Sequence, residues 1–84
     1  MSFLFSTTFF VQGNPVGYHI FLDKTTRTYF FKPTLYTNRN IYPPSFYARR
    51  QEARWRFEGL SDQLLEEQAI EDIDIYAYIE PATV

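Results

Sequence analysis

The sequence predicts an α+β fold, an antiparallel sheet of three to five strands with one C-terminal helix packed on one face. The first third of the chain alternates between polar and apolar residues and is broken by short turns, which is typical of a strand meander. Residues 45–58 alternate in the same way and favour a hairpin, and only the region after Gly59 spaces its apolar residues as a helix does. With 84 residues, we expect one small globular domain over residues 1–84.

Three strands are predicted in the first 32 residues. Turn-forming residues at 12–15 and 23–26 separate strands at 3–11, 16–22 and 27–32. Alternation places one set of first-strand side chains on a common face: Phe3, Phe5, Thr7, Phe9 and Val11. In the third strand, Tyr29, Phe30 and Phe31 direct large rings to both faces, so we expect a helix to cover one face and a partner the other.

The segment from Pro33 to Ser45 is predicted to be a long connection, because proline and asparagine recur in it. Long connections in small domains are often functional, so Tyr36, Arg39 and Tyr42 are candidate partner-binding residues. The alternative interpretation is that the tyrosines cover one end of the core while their hydroxyls remain in water. Both interpretations stay open at this point.

Residues 46–58 fit either a helix or a hairpin. Helix propensity is high, and Ser45 and Gly59 could end such a helix. On a helix, however, Trp55 and Phe57 would point about 200° apart and one ring would face water. On a strand, Ala53, Trp55 and Phe57 all face inward, so we favour a hairpin that turns near Gln51.

The last element is predicted to be a helix with Ser61 as its N-cap and with Leu60 and Leu65 as a hydrophobic staple. Leu65, Ala69, Ile73 and Tyr76 form an apolar stripe at helical spacing. Residues 73–79 also alternate as a strand would, and we expect the helix to end near Tyr76.

Charge is divided unevenly along the chain. All eight Lys and Arg residues lie in residues 1–57 beside only Asp23 and Glu52, whereas the remaining carboxylates lie in residues 58–84. A basic segment is compatible with nucleic-acid binding. We favour the alternative that the acidic segment folds near the basic strands, so that each weakens the electrostatic field of the other. A phosphate-binding face is rarely joined to so acidic a neighbour.

Catalytic and metal chemistry have little support in the sequence. There is no cysteine, and His19 is the only histidine. No nucleophile elbow, phosphate-binding glycine loop or calcium loop is present. We therefore expect no enzyme activity, no catalytic residue, no cofactor and no metal.

The remaining expectation is a non-catalytic binding or adaptor domain that engages a protein through its aromatic sheet or the 33–45 connection. The candidate partner-binding residues are Tyr36, Arg39, Tyr42, Arg49, Arg54 and Arg56. The alternative is single-stranded nucleic-acid binding, in which arginines contact phosphates while nearby rings stack on bases. That alternative uses Arg49, Arg50, Arg54 and Arg56 with Phe46, Tyr47, Trp55 and Phe57.

Two further expectations concern location and assembly. The chain lacks cysteine, a signal peptide and a stretch of about 20 apolar residues, so we expect a cytoplasmic protein without membrane contact. The first strand carries no charge, unlike most edge strands. We therefore expect it to lie inside the sheet or to pair with a second copy in a homodimer.

Overall fold

The computed structural model describes residues 1–52 and 54–79, which form one sheet and one helix. The strands are β1 (Ser2–Val11), β2 (Asn14–Asp23), β3 (Thr28–Tyr36), β4 (Phe46–Gln51) and β5 (Arg54–Glu58), and the helix is α1 (Gln63–Ile79). The strands are antiparallel and lie in the order β1-β2-β3-β4-β5. The predicted α+β class is therefore confirmed, with five strands and one C-terminal helix.

The turn between β1 and β2 is shorter than predicted. Gln12 and Gly13 both have positive φ, 53° and 77°, as a tight two-residue hairpin turn requires. Asn14 and Pro15 belong to β2, although we predicted them in the turn. Pro15 is tolerated opposite Phe10 because the backbone N–H and C=O of Phe10 bond the Gln68 side chain rather than β2.

The prediction that Phe3 and Phe5 share a face is wrong. The pairing register shifts between these two residues, so Leu4 is an extra residue in β1. A bulge of this kind reverses the alternation of the strand beyond it. Phe3 consequently lies opposite Phe21, on the sheet face that α1 does not cover, which we call the helix-free face.

The prediction that the third strand ends at Lys32 is also wrong, because β3 continues through Pro33 to Tyr36. Its partner β4 pairs with it only over Thr28–Phe31, so this side of β3 is an edge beyond Phe31. A proline is acceptable there because no neighbouring strand needs its missing N–H. The irregular connection is therefore limited to residues 37–45.

The hairpin interpretation of residues 46–58 is confirmed, and the helical alternative is wrong. β4 and β5 are antiparallel neighbours, and the hairpin closes where Gln51 at the end of β4 pairs with Arg54 at the start of β5. Trp55 and Phe57 pack against the core, as their alternation with Arg54 and Arg56 predicts. The predicted inward position of Ala53 lies outside the described residues.

The N-cap of α1 is Asp62, not Ser61. One carboxylate oxygen of Asp62 accepts hydrogen bonds from the backbone N–H groups of Leu64 and Leu65, at 3.0 and 3.3 Å. The charged cap also interacts favourably with the positive end of the helix dipole. With Asp62 as the N-cap, Leu60 and Leu65 no longer occupy the two positions of a hydrophobic staple, although Leu60 still packs against the core.

The helix runs to Ile79, three residues beyond the predicted end, and the strand alternative for residues 73–79 is wrong. It runs antiparallel along β1. Gln68 bonds the Phe10 backbone, the Thr7 hydroxyl donates to Asp72, and the Tyr76 ring stacks on Phe5 at 5.1 Å. These contacts need Gln68, Asp72 and Tyr76 on one side of a helix, which a strand at 73–79 could not provide.

The core lies between α1 and the sheet. Its buried members are Phe9, Val11, Val16, Tyr18, Ile20, Phe31, Ile41, Phe46, Ala48, Leu65, Ala69 and Ile73. Phe31 and Phe46 stack at 4.5 Å with their planes 7° apart. The hydroxyl of fully buried Tyr18 donates to the Pro44 carbonyl at 2.8 Å, which ties the end of the 37–45 connection to the sheet.

We predict that Trp55→Ala destabilises the fold by about 2–3 kcal/mol. Complete burial of a tryptophan would make this loss about 3–5 kcal/mol, but Trp55 is only half-buried beside Tyr29. The measurement is the free energy of unfolding in urea, followed by circular dichroism because the variant lacks the only tryptophan. A loss below about 0.5 kcal/mol, as is usual for surface positions, would contradict the packing role.

Alkaline pH should also weaken the fold. Burial, with the Asp62 charge as the second cause, raises the pKa of Tyr18 far above its usual 10.0, and burial raises the pKa of Tyr29. The unfolded chain therefore ionises first, so this stability is complete below about pH 10 and falls as pH rises toward the folded pKa values. Urea midpoints between pH 8 and 11 should fall less steeply in Tyr18→Phe than in Tyr42→Phe, whose ring is exposed.

Candidate binding surface on the helix-free face

Four aromatic side chains form a row across the helix-free face. Phe3, Phe21, Phe30 and Tyr47 lie on four neighbouring strands, and the register pairs each with the next. Successive ring centroids are 5.8, 6.2 and 4.8 Å apart. We call these residues the aromatic row.

The aromatic row is open to solvent at both ends. Phe3 is 53% exposed and Tyr47 43% exposed, while Phe21 and Phe30 are half-buried between them. The His19 ring extends the row, with its centroid 5.3 Å from that of Phe3. A solvated face of an antiparallel sheet normally carries polar side chains, so a row of rings here marks a surface suited to burial by a partner.

Cationic side chains border the row on β4 and β5. Arg49 and Arg56 lie directly opposite each other on the helix-free face, two residues along the strands from the Tyr47–Glu58 pair. The Arg49 Nε donates to the Thr28 hydroxyl at 3.3 Å. Together with Tyr47 and Glu58, the two arginines line a shallow depression of about 300 Å³.

The face as a whole is more basic than acidic. By strand alternation, Lys32 and Arg54 join Arg49 and Arg56 on it. Asp23 and Glu58 are the carboxylates that the alternation places beside them. The surface therefore combines apolar rings with an excess of positive charge.

The predicted site residues fall into two groups that the structure does not bring together. Arg49, Arg54 and Arg56 lie near the Thr28 end of β3, whereas Tyr36 ends that strand and leads into the connection with Arg39 and Tyr42. At about 3.3 Å per residue, Thr28 and Tyr36 are roughly 26 Å apart.

The 37–45 connection covers one end of the core through Ile41, which is buried. The Asn38 amide donates to the Asn14 side-chain oxygen at 3.1 Å and so fastens the connection to β2. Tyr42, by contrast, is 88% exposed, so the interpretation that it covers the core is wrong. Arg39 is also exposed, and both remain available to a partner.

Arg50 is separated from the other arginines of its hairpin. It extends over the Trp55 ring, with its guanidinium carbon 5.8 Å from the ring centroid. Both line a cleft of about 770 Å³ on the helix side of the sheet, opposite Ile73 and Asp74 of α1. The four arginines that we grouped for nucleic-acid binding thus lie on two faces.

The aromatic residues that we grouped with those arginines divide in the same way. Phe46 is fully buried, and Trp55 and Phe57 pack on the helix side, so only Tyr47 shares a face with Arg49 and Arg56. Phe3 and Phe21 belong to the surface but were not among the predicted site residues. Alternation was the available signal for Phe21, but nothing in the sequence identified the bulge that moves Phe3.

The acidic and basic parts of the chain are also separated. The carboxylates of α1 lie in the helix layer, while Arg49, Arg54 and Arg56 lie on the other side of the sheet. The expectation that the acidic segment folds near the basic strands therefore does not hold for Arg49, Arg54 and Arg56. It does hold at the cleft on the helix side, where Lys24, Arg27 and Arg50 share the lining with Asp74.

Comparison with known protein families, curated proteins and solved structures found no match for this chain. Across residues 1–52 and 54–79, no helix is long and apolar enough to span a membrane. Within the same residues, no group of three or more His, Asp or Glu side chains is arranged to hold a metal ion. The function must therefore be inferred from the surface itself.

The opposed arginines lead to a stability prediction. Like charges directly opposite each other on neighbouring strands are destabilising, so Arg56→Gln should stabilise the free domain by about 0.2–1 kcal/mol at low salt. The gain should shrink in 1 M salt because screening weakens exposed charge pairs. Arg39→Gln, in the exposed connection, is the control. A loss of stability in Arg56→Gln would show instead that Glu58 already neutralises the pair.

Proposed function

We propose that this chain is a non-catalytic protein-binding domain that holds an apolar, acidic segment of a partner on its helix-free face. The observation that carries the proposal is the aromatic row ending beside the directly opposed Arg49 and Arg56. Rings and guanidinium groups are the side chains that most often dominate binding energy in protein interfaces.

The apolar part of the partner would cover Phe30 and Tyr47. Their centroids are 4.8 Å apart, and Tyr47 keeps nearly half of its surface in water. Covering this area with an aliphatic or aromatic side chain removes apolar surface from water at about 25 cal/mol per Å². Because the rings are held by the sheet, little side-chain entropy is lost on binding.

The acidic part of the partner would lie between Arg49 and Arg56. Two opposed guanidinium groups repel each other in the free domain, and a carboxylate placed between them relieves that repulsion. Arginine also binds carboxylates through paired hydrogen bonds, which adds directional specificity. The excess of cations on the face favours a partner with Asp or Glu close to its apolar side chains.

Ring geometry favours a protein over a single-stranded nucleic acid. Phe21, Phe30 and Tyr47 pack against one another at 4.8–6.2 Å with their planes 32–34° apart, so each ring already covers part of its neighbour's face. Stacking of bases needs free ring faces beside a basic track. Only Tyr47 combines an exposed ring with nearby arginines on this face.

Selection from a random peptide library displayed on phage tests the proposal. We expect enriched peptides to carry Asp or Glu within a few residues of an aromatic or aliphatic side chain. A synthetic copy of such a peptide should bind at least tenfold more weakly to Tyr47→Ser and to Arg49→Gln, which corresponds to about 1.4 kcal/mol. Tyr42→Ser and Arg39→Gln, the same changes in the connection, should leave its affinity unchanged.

Two results would contradict the proposal. Equal loss in the connection variants, or loss there alone, would move the binding site to residues 37–45. Micromolar binding of a random-sequence oligonucleotide at 150 mM salt, falling steeply with added salt and lost in Arg49→Gln with Arg56→Gln, would replace the protein partner with a nucleic acid.

A further inference from the structure

The strand order places the uncharged strand β1 at an edge of the sheet. The expectation that β1 lies inside the sheet is therefore wrong, and only the expectation of an edge paired with another chain remains. The opposite edge, β5, carries Arg54, Arg56 and Glu58, the kind of charged side chains that discourage strand addition. β1 has ten residues without a charge or a proline.

On the side of β1 that faces away from β2, the backbone groups of one residue are hydrogen-bonded by a side chain. The Gln68 amide accepts from the Phe10 N–H at 2.8 Å and donates to the Phe10 carbonyl at 2.9 Å, as a neighbouring strand would. Alternate residues of an edge strand direct both backbone groups outward, so Ser6 and Thr8 share the orientation of Phe10. These two residues offer the groups that a further strand needs.

Exposed apolar side chains flank this edge in both layers of the domain. Phe3 and Phe10 of β1 are 53% and 56% exposed, and Leu64 and Ile75 of α1 are 71% and 50% exposed. At 100° per residue, Leu64 and Ile75 lie within about 40° of Gln68 around the helix, so they are on the side of α1 next to β1. Two carboxylates lie close to this side of the helix: Asp72, which accepts from the Thr7 hydroxyl, and Glu71, about 60° from Gln68 on the side of Leu64.

We propose that β1 pairs antiparallel with β1 of a second copy, which forms a symmetric homodimer with its two-fold axis at Thr7. In this register Ser6 of each chain bonds the backbone of Thr8 in the other, and the backbone of the second copy at Leu4 takes the place of the Gln68 amide beside Phe10. The proposal does not depend on the function proposed above, whose central residues are on β3, β4 and β5.

The same register makes the flanking apolar residues complementary. Phe10 of one chain comes opposite the bulge at Leu4 of the other, next to Phe3. Because α1 runs antiparallel to β1 and Asp72 lies beside Thr7, the two-fold axis also places Ile75 of one helix toward Gln68 of the other. A surface that meets its own copy about a two-fold axis must be self-complementary in this way.

Light scattering over a concentration series measures the mass of the assembly. We expect the wild-type chain to reach twice its 10.0 kDa mass and Thr8→Lys to remain a folded monomer, because a charged side chain on an edge strand opposes strand pairing. Thr34→Lys, at an exposed threonine of β3, which β2 separates from β1, should still dimerise. A wild-type mass of 10.0 kDa at millimolar concentration, or a Thr8→Lys dimer, would overturn the proposal.

Cysteine cross-linking tests the register, since the chain has no cysteine of its own. Two Thr7→Cys residues would face each other at about 4.5 Å between Cα atoms and should form a disulfide under mild oxidation. Two Thr8→Cys residues would be roughly 8 Å apart and should not. Efficient cross-linking through Thr8→Cys alone would exclude the register.

Glu71→Gln should tighten the dimer about two- to fivefold, because it removes the repulsion between the two Glu71 carboxylates near the axis.

Discussion

One helix of about 10 Å diameter lies on a sheet whose five strands, spaced about 4.8 Å apart, extend roughly 19 Å across. The helix therefore covers about half of one sheet face. It lies along β1, where Gln68, Asp72 and Tyr76 contact Phe10, Thr7 and Phe5 in turn. The far half of the same face, with Trp55 and Phe57, is closed only in part. The helix-free face has no second layer within the described residues.

The aromatic content of the chain compensates for this incomplete cover. Phe9, Tyr18, Phe31 and Phe46 form a contiguous group of buried rings with centroids 4.5–6.1 Å apart. Each ring buries more surface than an aliphatic side chain would, which gives a thin, two-layer domain a sufficient core without a disulfide. The rings that remain on the helix-free face are not needed for this core, so a function of their own is the simplest reason for them.

Most of the fold could be predicted from local pattern. Alternation indicated the strands, and the geometry of Trp55 and Phe57 separated the hairpin from a helix. The bulge at Leu4 could not be predicted, because it arises from pairing with β2 and leaves no mark in the apolar pattern. The cap was predicted at Ser61 and lies at Asp62. Both residues are favourable at a helix N-terminus, so propensity alone could not distinguish between these two neighbours.

The candidate surface was less predictable than the fold. Sequence proximity grouped Arg50 with Arg49 and Arg54, although adjacent residues of a strand point to opposite faces. The membership of Phe3, Phe21 and Phe30 depends on the order and register of four strands, which contacts between distant residues determine. The site is therefore a property of the sheet and not of any one segment.

The net charge of the chain is only −2, but many of its positive and negative groups lie on opposite sides of the sheet. This separation favours one direction of approach for a charged partner. Carboxylates of α1 lie on one side of the sheet, and Arg49, Arg54 and Arg56 lie on the other. The acidic partner that we propose would be repelled by the helix layer and attracted to the helix-free face, so long-range electrostatics and short-range ring contacts would favour the same surface. Repulsion from the wrong face contributes to specificity as much as attraction to the right one, because discrimination depends on the difference between the two affinities. A balanced charge distribution with the same rings would leave the apolar surface open to non-specific association.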